Sequence, residues 1–223
     1  MSKKKTDVEK ILLILMKESQ KWDSPVKKFI KNSGENNFQI LISTLLSSRT
    51  KDETTSMVSK ELFKVIKTPD DVILNSSKIE GMIYPVGFYR TKAKRIIEIA
   101  KILKENYNSI VPENLEDLLK LPGVGRKTAN IILNRCFGKQ VIAVDTHVHR
   151  ISNRLGLVKT ETPFETENAL KEVLPVKWWR RYNEILVAFG QKICHPLSPL
   201  CSICPVEIHC PKVNVKKKKQ GVK

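Results

Sequence analysis

The sequence has no long hydrophobic segment. Its longest apolar run near the start covers residues 11–16 (ILLILM), which is too short to span a bilayer or to form the core of a signal peptide. Lys17, Glu18 and Lys21 follow this run, so we interpret the region as an amphipathic helix. The sequence therefore predicts an intracellular protein without a membrane partner, located in the cytoplasm or nucleoid, or in the nucleus if its source is eukaryotic.

Acidic residues are scarce relative to basic ones. The 223-residue chain has 23 Asp and Glu against 40 Lys and Arg, which gives a formal net charge of +17 and a pI near 9.7. An excess of this size indicates a polyanionic partner, and nucleic acid is favoured over an anionic membrane. Solubility is the alternative explanation, but a small domain needs less charge for that purpose.

Cysteine is also scarce, and its placement is uneven. Cys136 lies in the apolar run NIILNRCF and is expected in the core. In a reducing compartment, a dense group of cysteines indicates metal ligation rather than a disulfide framework. His195 and His209 adjoin two members of the group and keep a zinc site open as one interpretation of this metal centre. The group has the pattern C-x6-C-x2-C-x5-C and contains Cys194, Cys201, Cys204 and Cys210.

Strand-like runs are nearly absent. Only residues 141–144 (VIAV) resemble a strand, and they are too isolated to form a sheet. Residues 38–46 (FQILISTLL) are apolar nearly all round, as expected for a fully buried helix. The sequence therefore predicts an all-α protein, a compact helical bundle with a cysteine-rich appendage.

A second helix is predicted over residues 91–107, where apolar residues recur at helical spacing. Thr91 is its expected N-cap, and Asp52 is the expected N-cap of an earlier helix. The basic residues of this second helix are expected on its outer faces: Lys92, Lys94, Arg95, Lys101 and Lys104.

The segment LPGVGRKTAN (residues 121–130) predicts a tight turn between two helices. Gly123 and Gly125 permit positive φ and a close approach of the backbone to a ligand. The N–H groups of the turn and of the new helix can then bind phosphate without reading base sequence. Lys127 falls in the first turn of the new helix, where an ammonium ion is electrostatically disfavoured. An ordinary turn between antiparallel helices is the alternative interpretation.

Two segments of the chain resemble those of a known family. LPGVGRKTAN resembles the helix-hairpin-helix of the endonuclease III family of DNA repair glycosylases, and VDTHVHR (residues 144–150) resembles that family's catalytic aspartate segment. The resemblance extends from about residue 25 to residue 210. It implies the helix-hairpin-helix DNA glycosylase fold, with a six-helix bundle domain plus a helical iron–sulfur domain.

The resemblance also implies a domain arrangement. An N-terminal helix within residues 1–28 is expected to pack with the iron–sulfur domain, and residues 29–139 are expected to form the six-helix bundle domain with the helix-hairpin-helix. The catalytic-aspartate helix and the C-terminal iron–sulfur domain are expected within residues 140–211, followed by a basic flexible tail at residues 212–223.

The implied activity is base excision DNA repair by a bifunctional enzyme. It would remove oxidised or ring-saturated pyrimidines as a DNA N-glycosylase and cleave the abasic site by β-elimination. Lys127 is the expected nucleophile, which attacks the sugar C1′ and forms a Schiff base; a helix N-terminus and partial burial both favour the neutral amine this requires. Asp145 is expected to stabilise the oxocarbenium-like centre or to assist proton transfer. A phosphate contact is the alternative role for Lys127, and a helix N-cap is the alternative for Asp145.

Two further loops resemble the family's DNA-contacting segments. LLSSRTKD resembles a segment whose glutamine fills the hole left by the extruded nucleotide, and Arg49 stands at that position. VGFYRTKAKRI resembles a wedge loop, which indicates Phe88 as the wedge and leaves core packing as its alternative role. The expected DNA contacts of the hairpin are Gly123, Val124, Gly125, Arg126 and Thr128.

The cysteine spacing matches the family's [4Fe–4S] loop. The resemblance therefore implies a [4Fe–4S] cluster with a structural role as the cofactor, held by Cys194, Cys201, Cys204 and Cys210. The family commonly has basic residues between the first two cysteines, whereas this chain has HPLSPL, without Lys or Arg. Lysines at 216–219 in the tail could compensate for this loss of DNA contact.

The expected partner is double-stranded DNA that contains damaged bases or abasic sites, bound by a monomer. One alternative is an abasic-site lyase with a different base preference, because Arg49 replaces the family's glutamine. Another is a non-catalytic iron–sulfur DNA-binding protein. The presence of both Lys127 and Asp145 at the family spacing counts against that second alternative.

Overall fold

The computed structural model of the protein describes residues 7–215. Within that range the regular structure is entirely helical, with no β-strand, which confirms the all-α prediction. Short 3₁₀ turns cover Val176–Trp178, Cys201–Ile203 and Glu207–His209. The α-helices are α1 (Val8–Gln20), α2 (Pro25–Lys31), α3 (Asn37–Ser47), α4 (Asp52–Leu62), α5 (Pro69–Leu74), α6 (Ile79–Met82), α7 (Tyr89–Asn106), α8 (Leu115–Lys120), α9 (Arg126–Phe137), α10 (Thr146–Arg154), α11 (Pro163–Val173) and α12 (Trp179–Lys192).

The described chain forms two compact units. The central unit is Asp23–Ala143 and contains α2 to α9. The flanking unit consists of the described residues on either side, 7–22 and 144–215, and contains α1 and α10 to α12. Residues 1–6, and the part of the predicted basic tail from residue 216 onward, lie outside the described residues. None of the described helices combines the length and the apolar character needed to cross a bilayer.

Helix α3 is the centre of the core in the central unit. Eight of its eleven residues are buried, which confirms the prediction of a helix that is apolar nearly all round. Helices α4, α7 and α9 all pack against it. The contributing side chains of α9 are Ala129, Ile132 and Leu133. Since burying one large aliphatic side chain contributes about 1.5–3 kcal/mol, this packing fixes α9, and with it the hairpin, to the core.

The strand-like run that begins at Val141 forms an extended segment without a sheet. Ile142 and Ala143 are buried, so the carbonyl groups of this segment need protein donors. Asn130 Nδ2 donates to the Ile142 carbonyl at 2.9 Å, and Asn134 Nδ2 donates to the Val141 carbonyl at 2.9 Å. Side chains of α9 therefore replace the ladder that a neighbouring strand would supply.

The flanking unit is built around α12. Helix α1 packs against it, and the ring of Trp22 stacks on that of Phe189 with 6.1 Å between centroids. Helix α10 packs on α12 as well, where the Ser152 and Tyr182 hydroxyl groups form a buried hydrogen bond of 2.9 Å. The segment before Asp23 and the segment after Ala143 thus share one core.

Two predicted helix starts are wrong by a few residues. Helix α4 begins at Asp52 itself, and its N-cap is Lys51. Helix α7 begins at Tyr89, so Thr91 lies inside its first turn and the N-cap is Phe88. The Gly87 N–H, just before α7, donates to the hydroxyl of Thr50, which lies 37 positions earlier in the chain. A sequence pattern for helix capping includes only neighbouring residues, so it does not predict this contact.

Candidate functional site

The turn between α8 and α9 is stabilised by contacts between its own residues. Leu121 and Val124 are buried, and the Val124 N–H donates to the Leu121 carbonyl at 3.0 Å. Both the side chain and the amide of Val124 therefore serve the turn itself. Gly123 and Gly125, by contrast, are exposed.

The two glycines of this turn have different backbone conformations and different surroundings. Gly123 has φ +82°, and a Cβ there would lie 2.8 Å from Arg95 Cδ and 3.1 Å from Leu45 Cδ1. The fold itself requires glycine at that position. Gly125 has φ −90°, and a Cβ there would meet no heavy atom within 4 Å beyond its chain neighbours. Nothing in the described chain requires glycine at 125, and its bare backbone leaves space for an external group.

Helix α9 begins directly at this open position. Gly125 is its N-cap, no side chain caps this end, and no acidic residue lies in its first turn. The first N–H groups of a helix lack intrahelical acceptors and carry partial positive charge. Arg126, Lys127 and Thr128 form the first turn and are half-buried. This end of α9 can therefore accept an anionic group.

Lys127 is the second residue of α9. Its side chain makes no hydrogen bond or ion pair with any other residue in the range 7–215. The amino group is therefore not committed to a structural role within that range.

Asp145 is the N-cap of α10, as its alternative interpretation predicted. Its Oδ1 accepts a hydrogen bond from the Val148 N–H at 2.9 Å, and the residue is half-buried. Within the described chain its Oδ2 has no hydrogen-bond partner. One oxygen of the carboxylate holds the helix, and the other is available for chemistry.

The four clustered cysteines line one cavity in the flanking unit. The rest of its lining is mostly apolar and includes Leu155, Phe189, Ile193 and Val206, whereas neither His195 nor His209 contributes. This arrangement gives no support to a zinc site that uses those histidines. Among residues 7–215, no three His, Cys, Asp or Glu side chains are arranged to hold a metal ion together. A cubane differs from zinc because each of its irons takes only one cysteine, so the four thiolates need not converge on one point.

Charge around this cavity also fits a positively charged occupant. Burial, with a smaller contribution from the neighbouring thiols, raises the pKa of the Cys204 thiol to about 11. Four thiolates there are stable only with compensating positive charge. The Arg154 guanidinium lies 3.5 Å from Cys194 Sγ and donates to the carbonyls of His195 and Pro196, so it braces the start of the cysteine loop.

Arg49 and Phe88 lie on neighbouring loops of the central unit. The Arg49 guanidinium carbon is 5.6 Å from the centroid of the Phe88 ring. Both residues have left-handed backbone conformations, with φ 53° and 56°. The Phe88 side chain is 63% exposed, so its alternative role in core packing is wrong.

Sequence reasoning missed two polar residues close to this pair in the chain, Lys92 and Thr50. Lys92 was expected on the outer face of α7, but it is only 4% exposed. Its Nζ donates to the Leu46 carbonyl at 2.7 Å, the Ser48 carbonyl at 2.6 Å and the Thr50 hydroxyl at 3.0 Å. The last carbonyl groups of a helix lack intrahelical donors and attract cations, and Lys92 fills this role at the end of α3. The one sequence signal for the burial of Lys92 was its position next to Ala93, which belongs to the apolar face of α7.

A family profile and two curated relatives match the chain. The profile, described as "HhH-GPD superfamily base excision DNA repair protein", matches residues 42–176, more than half of the chain. Endonuclease III of Thermotoga maritima is 54% identical over 187 residues, which cover 83% of this chain and 88% of that protein. Endonuclease III of Rickettsia conorii is 40% identical over 177 residues, which cover 79% and 84% respectively.

The fold is also similar to solved structures of protein–DNA complexes. A non-covalent endonuclease III–DNA complex gives a TM-score of 0.83 at 33% identity, covering 95% of this chain and 97% of that one. A trapped endonuclease III–DNA covalent intermediate, described as an estranged-adenine complex, gives the same values. The chain therefore belongs to the endonuclease III family of base excision DNA repair enzymes, which are DNA glycosylases with lyase activity.

Proposed function

We propose that this enzyme excises oxidised or ring-saturated pyrimidines from double-stranded DNA and cleaves the resulting abasic site by β-elimination, with Lys127 as the nucleophile. The observation that carries the proposal is the uncommitted amino group of Lys127, two residues after the open backbone at Gly125. A covalent protein–DNA intermediate has been trapped for a structural relative, which supports an enzyme nucleophile in this family. The enzyme acts as a monomer in the cytoplasm or nucleoid.

The hairpin binds the DNA backbone. A phosphate oxygen approaches the bare backbone at Gly125, close to the exposed Gly123, and the N-terminal end of α9 contributes its N–H groups and partial positive charge. Arg126 and Thr128 lie in the same turn and add side-chain donors. Such contacts carry no base information, so they hold damaged and undamaged duplexes alike.

The chemistry has two stages, release of the base and cleavage of the strand. The neutral amine of Lys127 attacks C1′ of the damaged nucleotide, the C1′–N bond breaks, and the base leaves after taking a proton. The secondary amine then opens the sugar to a Schiff base, which makes the 2′-proton acidic. Removal of that proton expels the 3′-phosphate, which is β-elimination. Hydrolysis of the Schiff base restores the Lys127 amine.

Asp145 stabilises the positive charge that develops at C1′ or assists the proton transfers. Its Oδ2 remains available for this role while Oδ1 caps α10. The cap also fixes the orientation of the carboxylate, because the Val148 N–H holds one of its two oxygens.

Arg49 and Phe88 act on the damaged base pair. Extrusion of a base leaves a hole in the duplex, and an enzyme that flips bases needs side chains to fill it. Phe88 supplies an exposed apolar ring, and Arg49 supplies a cation that can stack or hydrogen-bond with the orphaned base. Arg49 stands where the family has glutamine, which favours a shifted base preference as the second candidate function.

A [4Fe–4S] cluster held by Cys194, Cys201, Cys204 and Cys210 fits the mostly apolar cavity that they line. When bound, the cluster supplies a covalent clamp that holds the C-terminal segment to its unit. The surrounding residues orient this loop: Arg154 braces its start, and an ion pair of 2.7 Å between Lys212 and Glu207 closes its end.

Replacement of Lys127 tests the nucleophile. Lys127→Gln should abolish strand cleavage and borohydride trapping on an abasic-site duplex, because no amine remains at that position. Lys127→Arg keeps the positive charge but is always protonated, so it should bind DNA and still fail to cleave. Gel assays of cleavage, trapping and binding provide the measurement. Full cleavage by the arginine variant would instead assign Lys127 a phosphate contact.

Two replacements of Asp145 separate catalysis from capping. Asparagine is as good an N-cap as aspartate, so Asp145→Asn should keep thermal stability while turnover falls by about 10²–10⁴-fold. Asp145→Ala should lose turnover and in addition about 1 kcal/mol of unfolding free energy. Single-turnover kinetics and chemical denaturation measure the two effects. Unchanged turnover in the asparagine variant would leave Asp145 only its capping role.

The two hairpin glycines form a matched pair. Gly125→Ala should leave the unfolding free energy unchanged and weaken binding of damaged and undamaged duplexes equally, because its Cβ occupies the space left for a phosphate. Gly123→Ala should lower the unfolding free energy by about 1–2 kcal/mol, the cost of a left-handed conformation for a residue with a Cβ. Denaturation and fluorescence anisotropy measure these effects. Normal DNA affinity for Gly125→Ala would argue against the phosphate site.

Metal analysis tests the cluster. Protein purified without oxygen should contain about four irons per chain. Cys201→Ser should lose iron and stability, whereas Cys136→Ala, which changes the cysteine in the other unit, should keep its iron. Elemental analysis and the brown absorbance provide the readouts. Stoichiometric zinc with negligible iron, after anaerobic expression in iron-rich medium, would contradict the assignment.

A further inference from the structure

Lys92 is a buried cation without an acidic partner. It lies near the start of α7, and no carboxylate within residues 7–215 forms an ion pair with it. Its ammonium instead donates to the carbonyls of Leu46 and Ser48 and to the Thr50 hydroxyl. Burial lowers the pKa of Lys92 to about 8, with a smaller contribution from Arg95, so the group is still largely protonated at neutral pH. The three acceptors therefore hold a charged donor in place.

The Thr50 hydroxyl extends this arrangement to a second loop. It also accepts a hydrogen bond from the Gly87 N–H at 3.2 Å. The two loops approach so closely that a Cβ on Gly87 would lie 2.6 Å from the Arg49 carbonyl oxygen. The loop that follows α3 and the loop that precedes α7 are thus joined through Thr50, and Lys92 anchors both to the end of α3. We name the contacts of Lys92 and Thr50 the loop clamp.

The loop clamp adjoins Arg49 and Phe88 in the chain. Arg49 precedes Thr50, and Phe88 follows Gly87, whose N–H the Thr50 hydroxyl holds. Both residues have left-handed conformations, which are unfavourable for residues with a Cβ and are imposed by their surroundings. Their side chains already meet, with the guanidinium 5.6 Å from the ring centroid. A cation over an aromatic face is an attractive arrangement, so the pair is assembled before any DNA is bound.

We propose that Lys92 is a positioning residue whose loop clamp makes Arg49 and Phe88 act as one unit during base extrusion. The inference rests on the proposed function, because it assigns these two residues to the damaged base pair. Lys92 does not touch the DNA. Its effect falls on the step that removes a base from the stack, and the later chemistry at the sugar does not depend on it.

The first experiment compares two substrates under single-turnover conditions. One duplex contains dihydrouracil, which must be extruded before it is excised, and the other contains a preformed abasic site, which has no base to extrude. Lys92→Met keeps the side-chain length and removes the donors, and Thr50→Val keeps the shape and removes the hydroxyl. Each should slow cleavage of the dihydrouracil duplex by about 10–100-fold, the scale of a displaced positioning group. Cleavage of the abasic duplex should change by less than about twofold.

Matched controls make the result specific. Lys94→Met changes an exposed lysine on the same helix, and Thr50→Ser keeps a hydroxyl at the bridging position, so both should behave like the unmodified enzyme. If Lys92→Met fails to fold, Thr50→Val still tests the inference, because it removes the hydroxyl that joins the two loops. Equal slowing on both duplexes, or no slowing on either, would overturn the inference while leaving the proposed function intact. An unmodified enzyme that cleaves neither duplex would instead contradict the proposed function.

A double-mutant cycle tests the coupling directly. If Arg49 and Phe88 act as one unit, Arg49→Ala and Phe88→Ala together should slow dihydrouracil cleavage little more than the more harmful single change. In the Thr50→Val background the two changes should become additive, because the loops are no longer joined. Additive effects in the unmodified background would show that the two residues act independently and would overturn the inference.

Discussion

The burial of helix α3 on nearly every side is the constraint on which the central unit depends. A helix that is apolar nearly all round must be covered on every side, and α4, α7 and α9 provide that cover. The cover positions the hairpin, because Ala129, Ile132 and Leu133 of α9 lie in this core while the exposed turn precedes them. It also buries the Leu46 carbonyl near the end of α3, which therefore needs a protein donor. Lys92 supplies that donor, and the same side chain holds the loops that carry Arg49 and Phe88.

Features that depend on nearby residues could be predicted from the sequence. The apolar run at residues 38–46 was sufficient to predict a fully buried helix, and α3 spans Asn37–Ser47. The two glycines before a helix-forming run were sufficient to predict the turn between α8 and α9. Gly123 adopts the positive φ that glycine permits. Gly125 has an ordinary φ, and its lack of a side chain only leaves open space beside the backbone. The spacing of four cysteines predicted one shared site, and all four line a single cavity.

Features that depend on residues far apart in the chain could not be predicted in this way. Lys92 bonds to carbonyl groups 44 and 46 positions earlier, and helical periodicity carries no information about such partners. Its neighbours on the apolar face indicated only that it lies near the boundary of the core. The start of α7 was wrong for a related reason, since the Gly87 contact with Thr50 sets the preceding loop. The alternative role of Phe88 in the core failed because hydrophobicity alone does not distinguish a buried ring from one that is held exposed.

The proposed chemistry depends on a covalent bond between the Lys127 amine and DNA, and the residue that carries this bond can be identified directly. The unmodified enzyme would be incubated with an abasic-site duplex, reduced with borohydride, digested with protease and nuclease, and analysed by tandem mass spectrometry. A reduced deoxyribose fragment is expected on the peptide that contains Lys127 and on no other peptide. A fragment located on a different lysine or on the N-terminal amine, with Lys127 unmodified, would show that another group is the nucleophile.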